Sequence, residues 1–163
     1  MITIRKGVNS DIETIAHLAN EIWWPTYSSY IPAEQISLML TDIYATASLE
    51  KQIADGHQFI LLEEDNLAQG FASYSFIKNY SVCRIHKLYV HPNLQGKGAG
   101  KLMINHISSE ALKKEAQYLE LNVNRNNPAK SFYEKIGFKV AKTVDIPYHE
   151  FVLNDFVMQK PLK

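Results

Sequence analysis

Apolar residues recur with two different periods along the chain, and before about residue 57 the period is mainly that of a helix. Residues 2–5 alternate apolar and polar side chains, which is typical of a half-buried strand. Residues 12–22 follow helical spacing, and one face of that helix carries Ile12, Ile15, Leu18, Ala19 and Ile22. Ser10 and Glu13 have the spacing of a capping box at its start. Residues 24–26, Trp-Pro-Thr, are predicted to end it.

Two more helices are predicted before the period changes near residue 57. One follows Pro32 and runs through Ile43, and a shorter one covers residues 48–54 and stops at Gly56. Beyond them the pattern predicts strands 57–63, 67–76 and 84–90, helix 102–116, strand 118–123, helix 129–136, and a final hairpin of strands 138–146 and 150–159.

The order of these elements predicts the fold class. Strand, helices, three strands, helix, strand, helix and two strands indicate an α/β (α+β) domain with a mixed, mostly antiparallel sheet of about seven strands flanked by helices. A length of 163 residues fits one domain over residues 1–163.

Composition and charge narrow the classes of partner. Lysine plus arginine and aspartate plus glutamate each number 17, so the formal charge is zero. Proteins that bind nucleic acid or a membrane surface usually carry a basic excess, so neither partner is expected. No run resembles a signal peptide or a membrane span, and a cytoplasmic protein is expected. The single cysteine, Cys83, is interpreted as a small buried residue rather than a nucleophile.

A glycine-rich turn between a predicted strand and a predicted helix carries the clearest chemical signal. Gly96, Gly98 and Gly100 fall within five positions, and Lys97 lies among them. Glycines allow close approach of the backbone, and the free amides of a helix N-terminus bind anions, so a phosphate group is the expected ligand. A flexible turn is the alternative. No Walker A run is present, and a Rossmann fingerprint would place Lys101 where its third glycine belongs.

Two motifs resemble signatures of the GCN5-related N-acetyltransferases, the GNAT superfamily. Gln95-x-x-Gly98-x-Gly100 follows 88–92, Leu-Tyr-Val-His-Pro, as in the loop of that family that binds the acetyl-CoA pyrophosphate. Residues 126–138 are similar to its second signature, Asn-x-x-Ala-x-x-x-Tyr-x-x-x-Gly-Phe. The resemblance spans essentially the whole chain. Residues 12–54 and 155–158 look most like the branch that acetylates polyamines and small amines.

The resemblance implies the GNAT fold, acetyl-CoA as cofactor and coenzyme A as product. The implied cofactor-binding residues are Leu88, Tyr89, Val90, Gln95, Gly96, Lys97, Gly98, Ala99, Gly100, Lys101, Asn126, Ala129 and Tyr133. The loop amides would hold the pyrophosphate, and the Val90 amide would face the thioester oxygen. Asn124 and Asn127 remain alternatives to Asn126 for the contact with the pantetheine arm.

The resemblance implies Tyr133 as the residue near the coenzyme sulfur. A core aromatic on the helix is the alternative, for which Phe132 is the better candidate. For the base, the family often uses a glutamate on the strand before the loop, and this strand has none. Strand parity puts His86 on the same face as Leu88 and Val90, so His86 is a candidate base; a hydrogen-bonded sheet histidine is the alternative. Glu21 is a second candidate, with a solvated helix face as the alternative reading.

An aromatic cluster in the first part of the chain is a candidate pocket for the acceptor. The candidate substrate-binding residues are Glu21, Trp24, Tyr27 and Tyr30, with Trp23 beside them. Aromatic faces can bind apolar or cationic groups, and a core under a loop is the alternative. No metal site is predicted.

The sequence therefore predicts an acetyl-CoA-dependent N-acetyltransferase. It would transfer acetyl to a primary amine of a small molecule or a peptide, by direct attack through a tetrahedral intermediate. The alternatives are a non-catalytic acyl-CoA-binding module and an O-acetyl or longer-acyl transferase of the same fold. The expected partner is the amine acceptor, with a homodimer as a further possibility.

Overall fold

The computed structural model describes residues 1–162, in which it forms seven strands and five α-helices. The strands are β1 (Ile2–Lys6), β2 (Gln58–Glu64), β3 (Leu67–Ile77), β4 (Val82–Val90), β5 (Tyr118–Asn124), β6 (Lys139–Tyr148) and β7 (Phe151–Pro161). The helices are α1 (Ile12–Tyr27), α2 (Ala33–Tyr44), α3 (Thr46–Ala54), α4 (Ala99–Lys113) and α5 (Ala129–Lys135), with short 3₁₀ turns at Asn9–Asp11 and Pro92–Leu94.

The seven strands form one mixed sheet in the order β1-β2-β3-β4-β5-β7-β6. β4 and β5 are parallel, while β1–β2, β2–β3, β5–β7 and β6–β7 are antiparallel. The two predicted hairpins, β2–β3 and β6–β7, are confirmed by their registers. The predicted fold class, an α/β domain with a mostly antiparallel sheet, is therefore confirmed.

The chain divides into two compact units. The first unit comprises Met1–Ser75 and Lys87–Ile107, and the second comprises Phe76–His86 and the chain from Ser108 on. β4 changes from one unit to the other between His86 and Lys87. The prediction of a single domain stays a prediction.

The core of the first unit lies under α1, α2 and α3. The predicted apolar face of α1 is buried as expected, with Ile15 and Ile22 each 1% exposed. Together with residues of α2, α3, β2 and β3 it forms one cluster, whose members include Ile36, Leu49, Leu61 and Phe71. Burial of this continuous apolar surface is the main force that holds the three helices on their strands.

The start of α1 differs from the predicted capping box. Asp11, not Ser10, precedes the helix, and no side chain caps its first turn. The Asp11 carboxylate instead accepts hydrogen bonds from the guanidinium of Arg5 at 2.8 and 2.9 Å and from the Val8 amide at 2.8 Å. The bonds from Arg5 hold the pKa of Asp11 below its usual value. Asp11 forms a bidentate charged pair with Arg5, and such pairs are stronger than a neutral hydrogen bond from a serine. The predicted capping box is therefore wrong.

The end of α1 also differs from the prediction. The helix continues through Pro25 to Tyr27, and the Ser28 amide still donates to the Trp24 carbonyl at 3.0 Å. Proline removes one backbone donor, but close to a helix end that loss affects only one bond of the last turn. The continued turn places Tyr27 one turn after Trp23, on the same side of the helix.

The second unit is organised around β5 and β7. β5 pairs in parallel with the start of β4, where Arg84 donates to Glu120 at 2.9 Å and to Asn122 at 2.6 Å. α5 ends at Lys135, one residue earlier than predicted, and the predicted closing residue Gly137 has a φ of +109°, in the left-handed region that favours glycine. Cys83 is fully buried, which confirms the interpretation of a small buried residue, and burial raises the pKa of its thiol to about 12.

Two negative observations apply to residues 1–162. No helix there is long and apolar enough to cross a membrane. Within the same range, no group of three or more His, Cys, Asp and Glu side chains is placed to hold a metal ion.

Candidate functional site

The glycine-rich turn lies in the first unit, between the 3₁₀ turn Pro92–Leu94 and α4. Gly96 and Gly98 have φ values of +81° and +79°, and a Cβ added at either position would meet no atom within 4 Å. Left-handed backbone, rather than crowding inside the protein, therefore requires glycine at both positions. The open space beside them leaves the backbone accessible to a ligand.

The start of α4 supplies free backbone donors next to these glycines. The helix begins at Ala99, three residues earlier than predicted, and the Leu102 amide donates to the Gly98 carbonyl at 3.0 Å. The amides before Leu102 on this first turn have no helical carbonyl to bond. The amides of Gln95 and Lys97 already donate within the turn, each at 3.3 Å, to Pro92 and Leu94. The amides free for an anion thus lie at the glycines and at the helix start.

The end of β4 leads directly into this turn. Leu88, Tyr89 and Val90 are half-buried. On β3 a Cβ added at Gly70 would lie 2.8 Å from the Tyr89 carbonyl oxygen, so only glycine allows the two strands to approach this closely. The side chain of Gln95 donates to the Val90 carbonyl at 3.2 Å and closes the turn back onto the strand.

The aromatic cluster of the first unit is part core and part surface. Trp23 is 4% exposed, whereas Trp24, Tyr27 and Tyr30 are half-buried. The hydroxyl oxygens of Tyr27 and Tyr89 lie 3.0 Å apart, and the rings of Trp23 and Tyr27 meet edge to face at 4.9 Å. Trp23 is therefore a core residue, and Trp24 and Tyr27 pack against the core cluster that contains it.

Glu21 lies on the exposed side of α1, near the beginning of the turn. Its carboxylate is 4.0 Å from Nε2 of His91 and 3.7 Å from Nε2 of His17. His91 accepts a hydrogen bond from the Asn93 amide through Nδ1 at 3.2 Å, so a neutral His91 carries its proton on Nε2, toward Glu21. The carboxylate therefore lies beside the residue that directly follows Val90.

Lys87 is a buried lysine beneath the same cluster. It is 7% exposed, and its Nζ donates to Oε1 of Gln52 at 2.6 Å. The ammonium lies 5.7 Å from the ring centroid of Tyr44 and 5.5 Å from that of Phe59. Burial lowers the pKa of Lys87 to about 8. No carboxylate of residues 1–162 stabilises the charged ammonium and so raises this pKa again.

His86 is exposed and belongs to the second unit. A strand rises about 3.3 Å per residue, so the Cα of His86 lies about 13 Å along β4 from that of Val90. That separation exceeds the reach of one hydrogen bond from an imidazole. Glu21, the second candidate base, lies 4.0 Å from His91, which directly follows the strand end that the resemblance places at the reacting carbonyl.

The asparagines after β5 divide into two groups. Oδ1 of Asn124 accepts from the Asn126 amide and Oδ1 of Asn127 accepts from the Ala129 amide, both at 2.9 Å. Both side chains thus perform turn chemistry. Asn126 is exposed, and its side chain makes no hydrogen bond to the rest of the described chain. Of the three alternatives, Asn126 is the one whose side chain takes no part in a turn bond.

Tyr133 is the buried aromatic residue of α5. It is 8% exposed, and its ring meets Phe132 and Phe138 at 5.2 and 5.6 Å. Phe132, which the sequence favours as the core residue, is only half-buried. Burial raises the pKa of Tyr133 well above that of a free phenol, so the hydroxyl keeps its proton at neutral pH.

Comparison with known proteins identifies the family. The acetyltransferase (GNAT) domain matches residues 28–147. The chain belongs to the GNAT acetyltransferases.

Relatives of this acetyltransferase match it over nearly its full length. It is 30% identical to the spermidine N(1)-acetyltransferase of Thermoplasma acidophilum, over 98% of this chain and 96% of the relative. The PaiA N-acetyltransferase of Thermoplasma acidophilum, solved with coenzyme A, superposes with a TM-score of 0.84 at 28% identity and covers 99% of each chain. An acetyltransferase of Salmonella typhimurium, solved with its cofactor acetyl-CoA, has a TM-score of 0.70 over 100% and 95% of the chains; at 20% identity it shows the fold alone.

Acetyl-CoA is the cofactor of this acetyltransferase, and the chain is an acyltransferase. The residues of the turn fit such a group: space is open beside Gly96 and Gly98, unbonded amides begin α4, and Lys97 is exposed. These features suit a pyrophosphate because its negative charge is favoured at a helix N-terminus.

Sequence reasoning missed two residues of the first unit. His91 lies in the motif of residues 88–92, but a contact between α1 and the end of β4 leaves no pattern in the local sequence, so its proximity to Glu21 could not be predicted. Lys87 alternates with His86 along β4, and lysine is a surface residue by default. Only the packing of Tyr44 and Phe59 over Lys87 shows that it is buried.

The stability of the acetyltransferase is expected to rise with pH between about 8 and 10.5, because of Lys87. In this range the native lysine, whose pKa is lowered to about 8, loses its proton while the unfolded lysine keeps its own, so the unfolded state binds more protons. Below pH 8 the native state bears the full cost of the buried charge, on the order of 3 kcal/mol. Denaturant unfolding of wild type and Lys87→Met at both ends of the range measures the effect. Parallel pH dependence of the two proteins would contradict it.

Proposed function

We propose that this acetyltransferase moves acetyl from acetyl-CoA to a primary amine of a small molecule or a peptide. The amine attacks the thioester carbonyl directly, through a tetrahedral intermediate. The observation that carries the proposal is the turn at Gly96 and Gly98, whose open, left-handed backbone runs into the unbonded amides of α4. The near-full-length relative named as a spermidine acetyltransferase supports an amine as acceptor.

The acceptor's proton sets the main demand on the residues of the protein. A primary amine has a pKa near 10.4, so freeing its lone pair at pH 7 costs about 4.6 kcal/mol. A base that accepts this proton during attack lowers the barrier. The Glu21 carboxylate is well suited, since it lies 4.0 Å from His91, the neighbour of Val90. It would also attract the ammonium form of the acceptor before the proton is lost.

The leaving thiolate needs a proton donor, whereas the attacking amine needs a base. In the proposal Tyr133 donates its proton to the coenzyme sulfur as the carbon–sulfur bond breaks. Burial keeps the phenol protonated at neutral pH, which is the state that a general acid requires. The place of Tyr133 in the second signature supports this role. Asn126 is the proposed contact with the pantetheine arm, because turn bonds occupy Asn124 and Asn127.

A pH profile distinguishes the two candidate bases. Glu21→Gln is expected to lower kcat/KM several-fold at pH 7 and much less at pH 9, where more of the acceptor is already neutral. His86→Ala is expected to follow the wild-type profile. The matched control is Glu13→Gln, an exposed glutamate in the first turn of α1. A pH-dependent loss for His86→Ala alone would reverse the assignment, and parallel profiles for both would leave a chain of waters as the route.

Turnover over an acceptor panel tests the proposed function itself. Release of coenzyme A thiol is measured with polyamines, amino acids, aminoglycosides and peptides with free N-termini. At least one class is expected to accelerate release well above the rate without acceptor. If acetyl-CoA binds and no amine accelerates release, the chain is a binding module and the proposal is wrong.

A further inference from the structure

The buried ammonium of Lys87 has no use in the mechanism above, and residues 1–162 supply no counter-ion to it. Its partner, Gln52, is a neutral amide, and its other neighbours are the rings of Tyr44 and Phe59. His57 also lies near, since the charge of Lys87 helps to lower its pKa after the larger effect of burial. A buried charge without a counter-ion is unfavourable. The ammonium of Lys87 therefore either binds an anion or lowers the stability of the folded protein.

Two more polar groups, one on Tyr44 beside Lys87 and one on Trp23 beside Tyr44, are buried without a hydrogen bond. They are Nε1 of Trp23 and Oη of Tyr44, on residues that are 4% and 3% exposed. Burial raises the pKa of Tyr44, and the nearby Trp23 indole, as a weak donor, partly offsets this rise. No hydrogen bond of good geometry joins the two side chains. Trp23 can only donate, and the Tyr44 proton has no acceptor. The cluster therefore offers a cation and two buried donors that make no hydrogen bond.

This donor cluster is continuous with the candidate acceptor residues. Trp23 contacts Tyr44 at 5.8 Å between ring centroids and also contacts Tyr89 at 5.7 Å. Lys87 precedes Tyr89 by two residues on the same face of β4, about 7 Å along the strand. If the reacting nitrogen of the substrate lies near the end of β4, a second group of the same substrate, a few ångströms from that nitrogen, would lie on the side of Lys87.

We propose that Lys87, Tyr44 and Trp23 form an anion subsite for the acceptor, so that the acceptor is an amine bearing a carboxylate, as an amino acid does. This inference rests on the proposed function and names its substrate class. A carboxylate supplies the hydrogen-bond acceptor that Trp23 and Tyr44 lack and the counter-ion that Lys87 lacks. A polyamine supplies only further donors and positive charge, which the buried ammonium would repel.

The test compares acceptors that differ only in the carboxylate. kcat/KM is measured with L-phenylalanine and 2-phenylethylamine, and with L-methionine and 3-(methylthio)propylamine, with spermidine as a reference. Wild type is expected to prefer each amino acid by at least about tenfold, which a hydrogen-bonded charge readily provides. Lys87→Met is expected to abolish that preference. Lys51→Met, an exposed lysine of α3, is the matched control and should keep it.

A binding measurement makes the subsite testable without turnover. The probe is 3-phenylpropionate, which has the carboxylate and ring but no amine to acetylate. At millimolar concentration it is expected to raise the Tm of wild type and of Lys51→Met, and to leave the Tm of Lys87→Met unchanged. If Lys87→Met does not fold, Tyr44→Phe replaces it and should reduce the amino-acid preference.

The outcomes separate the two proposals. If spermidine and the plain amines are acetylated as well as the amino acids are, or if Lys87→Met lowers all acceptors equally, the subsite is wrong and the proposed function stands. If no acceptor is acetylated, the proposed function fails and the 3-phenylpropionate shift alone decides the subsite. No shift in wild type overturns it.

Discussion

Replacing Tyr133 with phenylalanine is expected to slow acetyl transfer by about 10²–10⁴-fold, the range typical of general acid catalysis, while the protein stays folded. The substitution keeps the ring and its contacts with Phe132 and Phe138, so packing changes little. Only the proton donor is lost. Acetyl-CoA affinity, measured by calorimetry, should fall far less than the rate.

The burial of Tyr133 sharpens this expectation. A phenol with a raised pKa gives up its proton less readily than a free phenol, and it stays fully protonated over the working pH range. A coenzyme thiolate expelled into a dry environment is destabilised for the same reason, so transfer between the two groups remains feasible.

A matched control and a kinetic experiment complete the test. Tyr118→Phe changes a tyrosine of β5 that is 40% exposed and should leave the rate unchanged. A folded Tyr133→Phe protein with a rate within about threefold of wild type would show that the thiolate needs no acid, because that lies well below the general-acid range. A pre-steady-state burst would then show whether chemistry limits turnover.

Replacing Gly98 with valine is expected to weaken acetyl-CoA binding by at least tenfold without unfolding the protein. The φ of +79° is costly for a β-branched residue, about 1–2 kcal/mol, so the turn would leave its left-handed form. The added side chain would also occupy the open space through which a pyrophosphate reaches the backbone. Isothermal calorimetry on folded protein measures the change.

Gly56→Val is the matched control for this second experiment. Gly56 has a φ of +101° and equally open surroundings, and it follows α3 rather than the turn. Equal losses of affinity in the two variants, or unchanged affinity in a folded Gly98→Val, would remove the phosphate-binding interpretation.

Much of the fold could be predicted because its strongest patterns are local. The apolar face of α1 and both hairpins depend on periods of 3.6 and 2, which any short window shows. The errors lie where a distant residue decides. Arg5 from β1 draws Asp11 into a charged pair that replaces the predicted cap, and no pattern within α1 reveals it.

The candidate site divides in the same way. The loop and the second signature are recognisable because each needs particular residues at fixed spacing. Turn bonds separate Asn126 from Asn124 and Asn127 only once the backbone is known. Alternation along β4 separates His86 from Lys87, but it cannot tell which face carries the helices.

The buried charge of Lys87 also has a consequence for engineering. A library of this enzyme selected for heat resistance alone should be enriched in uncharged residues at position 87, since each removes the cost of an unpaired ammonium. If Lys87 recognises the acceptor, the selected variants will be heat-stable and will not distinguish amino acids from plain amines. Selection for robustness and selection for substrate choice would then act on one residue in opposite directions.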